Sequence, residues 1–293
     1  MRVVDVIQLF LLAALWGGSF LFMRIGAPVF GPVWLIELRV LLAGLALLPL
    51  LIRLNLWSEV RRKIIPLSVV GCLNSALPYV CLAFASVFLP AGFTSILNAT
   101  SPLFGIFIAV VWFQEKLSLN RIIGFFFGWI GVSILVGWKA FETTPSFVLA
   151  VGIGLLAPVM YAIAAPYAKR QLSDVPPLVI AIMSQLSAAM FLLPALPFTV
   201  PKQVPALEIW LSVLALALFS TAIASILYFR LIQNVGATKA LTVTYLIPVF
   251  AMIWGTLILK EAITPSMVLG CALILIGTAI ANELFNPLPG KKL

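Results

Sequence analysis

"PLFGIFIAVVWFQEKLS", residues 102–118, and "PVFAMIWGTLILKEAIT", residues 248–264, share one layout. Each reads Pro, one residue, Phe and a long apolar run. Each then places Glu thirteen residues after the proline, and Ser or Thr three residues later. A proline inside a helix lacks its N–H and clashes with the carbonyl four residues back. A chain that keeps so costly a residue twice, with a glutamate at one spacing, carries a duplicated unit.

The duplication extends outward in both directions. At an ungapped shift of 146, Ala91 meets Ala237, Pro102 meets Pro248, Phe104 meets Phe250 and Glu115 meets Glu261. Gly124 and Gly131 meet Gly270 and Gly277, and Ile130 and Ile134 meet Ile276 and Ile280. A shift of 145 brings Pro32 onto Pro177 and Pro49 onto Pro194. The halves are therefore 1–138 and 146–285, with a short tail, 286–293.

Of the 293 residues, 63% are apolar and 9% charged. Soluble domains carry roughly a quarter charged residues, so the chain is expected to be an all-α integral membrane protein. A crossing helix needs about 20 apolar residues. Ten segments qualify: 4–25, 32–53, 65–87, 91–113, 119–138, 147–168, 177–198, 208–230, 236–259 and 265–285. The first runs too long past Trp16 for a signal peptide and reads as a membrane helix. With five spans per half, an odd number, the two halves must lie in opposite orientations. Such inverted repeats are frequent in secondary transporters, with the substrate site near midplane between the halves.

The net charge of +9 points to membrane orientation rather than nucleic acid. Lys and Arg in the gaps divide thirteen to four, which places both termini in the cytoplasm. Cys72, Cys81 and Cys271 fall inside apolar runs, without metal-ligand spacing or a disulfide framework. No phosphate-cradling loop is present, so ATP is not the visible energy source. Without histidine or an intramembrane acid cluster the chain is not expected to be an enzyme. Proton coupling has little support, and no cofactor or metal is expected.

Two further stretches, "LWGGSF" at Leu15–Phe20 and "ELRVLLAG" at Glu37–Gly44, join the doubled Pro…Glu…Gly signature. Together with ten spans in halves of five, they resemble the drug/metabolite transporter superfamily, EamA-like branch. The resemblance covers nearly the whole chain. It implies an inner-membrane carrier or exporter of small metabolites. Its central cavity would be lined mainly by the first four helices of each half, with the fifth and tenth peripheral. Amino acids are among the family's substrates, but the resemblance names none.

The residues themselves suggest where the cavity is. Carbonyls freed by Pro102 and Pro248 belong to Asn98 and Thr244, leaving polar groups at bilayer depth. Both prolines are candidate kink or gating residues. Thr94, Asn98, Ser101 and Gly105 recur on one helical face. That face lines either the cavity or a polar helix interface. Thr221, Ser225 and Tyr228 form a second stripe, and Asn74, Pro78 and Tyr79 a third cluster. Trp16, Ser19, Tyr161 and Tyr245 are mid-span or beside a proline, and suit a partly apolar solute.

Arg39 is a cation inside a span, a functional candidate because its burial is expensive. It either receives a substrate carboxylate or phosphate through its planar fork, or anchors to carbonyls of a neighbouring helix. Glu37 is expected near the outer end, within reach of water. Glu115 and Glu261 close their spans on opposite sides and read as hinges or caps for the following helix. Ser118 and Thr264 are the expected N-caps. Gly124, Gly128 and Gly131, answered by Gly270 and Gly277, form a close-packing face, within a monomer or between copies in a homodimer. The expected partners are a small-molecule substrate and the lipid bilayer.

Overall fold

The computed structural model describes residues 2–114, 118–137, 144–201 and 205–281. Glu115 and the tail 286–293 lie outside them, as do the last residues of each half. The described residues are helical, with no strand among them. Among the described residues, eight helices are long and apolar enough to cross a membrane: α1 (Val3–Phe30), α2 (Pro32–Arg53), α3 (Ile64–Phe88), α4 (Ala91–Trp112), α5 (Leu119–Gly137), α6 (Pro145–Gln171), α7 (Pro177–Phe198) and α8 (Leu207–Val235). Two shorter apolar helices follow, α9 (Val243–Leu259) and α10 (Pro265–Ala281).

Helix starts follow local chemistry. Pro32, Pro145, Pro177 and Pro265 open α2, α6, α7 and α10, where a missing N–H costs nothing. Thr144 accepts from the Phe147 N–H at 3.2 Å, and Thr264 accepts from Met267 at 3.3 Å. Ser118 accepts from Arg121 at 3.3 Å, so both expected N-caps, Ser118 and Thr264, are in place.

The two prolines that opened the sequence reading do not kink their helices alike. α4 is interrupted at Ala99–Thr100, and Pro102 sits in the first turn of the helix that restarts at Ser101. The restart removes the clash, and the Ser101 hydroxyl donates to the freed Asn98 carbonyl at 2.7 Å. Pro248 lies inside the continuous α9, and the interruption comes earlier, at Leu241–Thr242. That break is why α9 is shorter than the expected 236–259 span. The two halves therefore carry the same proline in two backbone arrangements.

α3 and α8 each widen into a π-helical turn, at Cys72–Ala76 and Leu218–Ile223. These turns start at residues 72 and 218, the same 146-residue shift that relates the prolines. Wide turns of this kind re-aim side chains and recur at functional sites.

α5 packs along α10. The glycines expected to form a packing face meet one another there. A Cβ on Gly131 would lie 2.8 Å from the Gly270 carbonyl oxygen, and one on Gly277 2.5 Å from that of Gly124. A Cβ on Gly128 would strike Leu103. The face is thus spent within the chain, and the homodimer alternative for these glycines falls away. α1 crosses α9 as closely. A Cβ on Gly17, in "LWGGSF", would come 2.7 Å from Phe250 Cβ and 2.9 Å from the Ala251 nitrogen. Helices α1, α2 and α3 meet α7, α8 and α9 around one apolar cluster holding Phe20, Met23, Leu35, Ile36, Val40, Ala188, Leu216 and Ala251.

Candidate functional site

A cavity of about 1280 Å³ runs into the helices from one end of the molecule. Its rim carries the exposed Lys169, Arg170, Leu241 and Thr244, and its floor the buried Ser19, Arg39, Ser220 and Thr221. The rim residues come from the C-terminal end of α6, the break at Leu241–Thr242 and the first turn of α9. Arg2, Asp5 and Asn234 lie together, as do Arg62, Lys63 and Asp174.

The twelve residues singled out from sequence as binding candidates all line this one cavity: Trp16, Ser19, Arg39, Asn74, Tyr79, Asn98, Ser101, Tyr161, Thr221, Ser225, Tyr228 and Tyr245. Pro102 and Pro248 line it too. Thr94 does not. It is fully buried with its hydroxyl on the Pro90 carbonyl, and the neighbouring Ser95 lines the cavity instead. Pro78 is buried as well, in the first turn after the π segment. The tenth helix is not wholly peripheral, since Leu275 and Thr278 reach the wall, while α5 contributes nothing.

Sequence reading missed Ser95, Lys169, Arg170, Ser184, Gln185, Ser220 and Thr278. Two of these carried a signal. Gln185 is a lone amide in an apolar span, and Ser220 is the 146-shift counterpart of Asn74.

The floor is chemically specific. The π turn in α8 lets the Thr221 hydroxyl donate to the Leu216 carbonyl, five residues back, at 2.9 Å. Its oxygen then accepts from Arg39 Nε at 3.0 Å, which links α2 to α8. The Arg39 guanidinium stacks over the Tyr79 ring with 3.8 Å to the centroid, a cation–π contact. Trp16 and Tyr228 face each other across α1 and α8 with ring centroids 5.1 Å apart. Around them, Ser19, Ser95, Asn98, Gln185, Ser220 and Thr278 each hold a buried oxygen with no partner among the described residues. Such groups are expensive unless water or a solute satisfies them. Glu37 proves buried, 3% exposed, rather than wet at a helix end, because α2 begins five residues earlier and packs it inside. It does not line the cavity.

The far end is shut. Phe30 packs edge-on to Trp210 at 4.8 Å, and Trp34 Nε1 donates to the Leu196 carbonyl at 3.0 Å. Glu261 forms the polar part of this closure. Its Oε2 accepts the Ala91 N–H at 2.9 Å, and its Oε1 accepts from Arg24 Nε at 3.3 Å. Arg24 also covers the last carbonyls of α3, Ser86 at 2.9 Å and Val87 at 2.6 Å. Glu261 thus caps α4, not the following helix α10 as its place in the chain suggested. The interaction is favourable because a carboxylate meets the positive N-terminal end of a helix.

The sequence profile of the EamA-like transporter family matches residues 5–137 and 148–282. An uncharacterized transporter of Archaeoglobus fulgidus is 23% identical, over 94% of this chain and 97% of its own length. A Streptantibioticus cattleyicolor protein named "Probable terminal-alkyne amino-acid exporter" is 25% identical, over 92% of this chain and 90% of its own. An uncharacterized inner membrane transporter of Escherichia coli K12, YedA, is 28% identical, over 85% and 80%. A crystal structure 21% identical in sequence shares the fold with a TM-score of 0.68, covering 99% of this chain and 100% of that one. Matched in two segments that together take in most of its length, this multi-pass membrane protein belongs to the EamA-like transporter family.

Proposed function

We propose that the chain is a secondary carrier that moves a small organic metabolite, an amino acid or similar amphipathic solute, outward by alternating access. The observation that carries this reading is the one-ended cavity: polar and aromatic at its floor, open between α6 and α9, and shut beyond the floor by Phe30, Trp210 and the Arg24–Glu261 contact. A carrier needs a site that reaches one side at a time.

In this reading the ten helices form two inverted five-helix repeats, 1–138 and 146–285. The doubled π turn supports this, as does a family match in two segments. The excess of Lys and Arg on the side of the open mouth supports a cytoplasmic mouth and cytoplasmic termini. The protein then sits in the inner membrane, as the name of the Escherichia coli relative says of that protein. The exporter named among the relatives favours outward movement and an amino acid as the solute. The twelve lining residues above are the proposed substrate contacts, and Pro102 and Pro248 the proposed points of bending. Arg24 and Ala91 correspond at the 146 shift to Arg170 and Ala237, and Arg170 lines the open end of the cavity. We assign Arg170 in the outward-facing state the part Arg24 plays here.

The test is counterflow in proteoliposomes with a broad metabolite panel, amino acids first, with and without a proton gradient. Saturable exchange is expected. Flux that rises linearly with concentration would identify a channel-like facilitator and sink the carrier. Pro102→Ala returns an N–H that must compete with Ser101 for the Asn98 carbonyl. At about 1 kcal/mol for one hydrogen bond, exchange is expected to slow roughly fivefold, with membrane insertion unchanged. Normal exchange by both Pro102→Ala and Pro248→Ala would show that the prolines are tolerated and not used.

A further inference from the structure

We infer that Arg39 receives the carboxylate of a small monocarboxylate solute, and that the cavity turns away cations of the same size. The inference rests on the carrier reading above and adds the chemical class of its solute.

Arg39 is 4% exposed, yet its hydrogen bonding is far from complete. A guanidinium carries five N–H donors. One, on Nε, goes to Thr221. Among the described residues, Nη1 has only the Met23 sulfur, a weak acceptor, at 3.8 Å, and Nη2 has no hydrogen-bond partner. Among the described residues no carboxylate lies within ion-pair distance of Arg39, and no Asp or Glu lines the cavity. Glu37 is two residues away on α2, points to a different face and forms no ion pair with it. A buried charge without a counter-ion is costly in any protein and more so in a membrane interior.

A purely structural anchor would spend its donors on the protein. This one spends a single strong donor on orientation, lays one face on Tyr79, and leaves the terminal edge of the fork toward the cavity that it lines. Two parallel N–H groups on one edge match the two oxygens of a carboxylate. Lys169 and Arg170 at the rim add the same sign, so the field along the cavity draws anions in and repels cations. One buried cation balances one negative charge. A phosphate monoester, with up to two, would leave charge uncompensated. Beyond the carboxylate, Trp16 and Tyr228 offer an aromatic cleft for an apolar body.

The experiment uses the purified full chain. Thermal stability is measured with matched sets: small aliphatic and aromatic monocarboxylates, L-phenylalanine and L-leucine among them, their primary amides, their decarboxylated amines, and methyl phosphate. The same solutes are then tried in counterflow. At least one carboxylate is expected to raise the melting temperature, while its amide and amine do not. Arg39→Gln is expected to weaken that binding by about 10- to 100-fold, the size of a lost charge-assisted hydrogen-bonded pair. Arg39→Lys keeps the charge, guards against a folding defect in the first variant, and is expected to fall between. The assignment is overturned if amides or amines stabilise as well as the acids. It is also overturned if methyl phosphate outdoes every acid, if no acid acts, or if Arg39→Gln and Arg39→Lys bind as the parent does. Carboxylate binding without counterflow would keep the site and refute the carrier. Counterflow of amines and acids alike would do the reverse.

Discussion

Gly124→Val in α5 is expected to leave little folded protein, because the added side chain has nowhere to go. A Cβ at this position overlaps the Gly277 carbonyl oxygen and lies 2.7 Å from both the Ala281 nitrogen and its Cβ. Two of those atoms are backbone, so no rotamer change relieves the clash, and α5 must move off α10. The contact is equally tight from the other side: a Cβ on Gly277 would lie 2.5 Å from the Gly124 oxygen, and one on Gly270 2.9 Å from the Gly131 oxygen. Overpacking costs about 1–3 kcal/mol where side chains can give way, and here only helices can. Gly131→Val is expected to behave likewise. Gly152→Ala, on the open face of α6 with nothing within 4 Å, should be neutral and serves as the control. The measurement is the yield and melting temperature of monodisperse protein in mild detergent. Parent-like values for Gly124→Val would mean that the α5–α10 contact does not hold the fold.

This contact also shows what was legible in the chain. The glycines were visible as a face because a helix keeps its period along the sequence, and the repeat showed both faces at one shift. Which face met which was not, because that is a relation between helices. The apolar spans were readable for a similar reason, since bilayer thickness sets a length that composition reports directly, although the break before Val243 that shortens α9 was not. The cavity candidates were found because a polar or aromatic side chain in the middle of an apolar run must face something. The π turns at Cys72–Ala76 and Leu218–Ile223 were invisible. One extra residue per turn has no composition of its own, and only the packing around it makes it stable. The restart of the helix at Ser101 was invisible for a related cause. A proline announces that a helical hydrogen bond is missing, but whether the helix bends or restarts depends on a neighbour, here the Ser101 hydroxyl on Asn98.

Glu261 had the largest gap between what its position suggested and what it does, and its removal is expected to loosen the closed end. Its carboxylate holds three chain segments at once: its own, just after α9; the first N–H of α4 through Ala91; and α1 through Arg24, which in turn covers Ser86 and Val87 at the end of α3. The C-terminal end of α3, the start of α4 and the end of α9 are thus tied to one another through Arg24 and Glu261. A lost helix cap costs about 1 kcal/mol, and a partly exposed ion pair adds up to about 1 kcal/mol. Together they would shift the balance between closed and open ends by roughly 30-fold. Glu261→Ala loses both contacts. Glu261→Gln keeps an oxygen for the Ala91 N–H and loses only the charge on Arg24, so a graded response is expected. Hydrogen exchange in the peptide spanning Ala91 should rise most in Glu261→Ala and less in Glu261→Gln. On the carrier reading proposed above, the solute's apparent affinity from the closed end should rise in the same order in counterflow, because a state open at that end becomes easier to reach. Arg24→Gln should resemble Glu261→Gln, and the double variant should add little to either, since one interaction cannot be lost twice. Exchange near Ala91 that stays at the parent level in Glu261→Ala would show that the closure is carried by Phe30, Trp210 and Trp34 alone. Additive effects of Arg24→Gln and Glu261→Gln would show that the two side chains act separately.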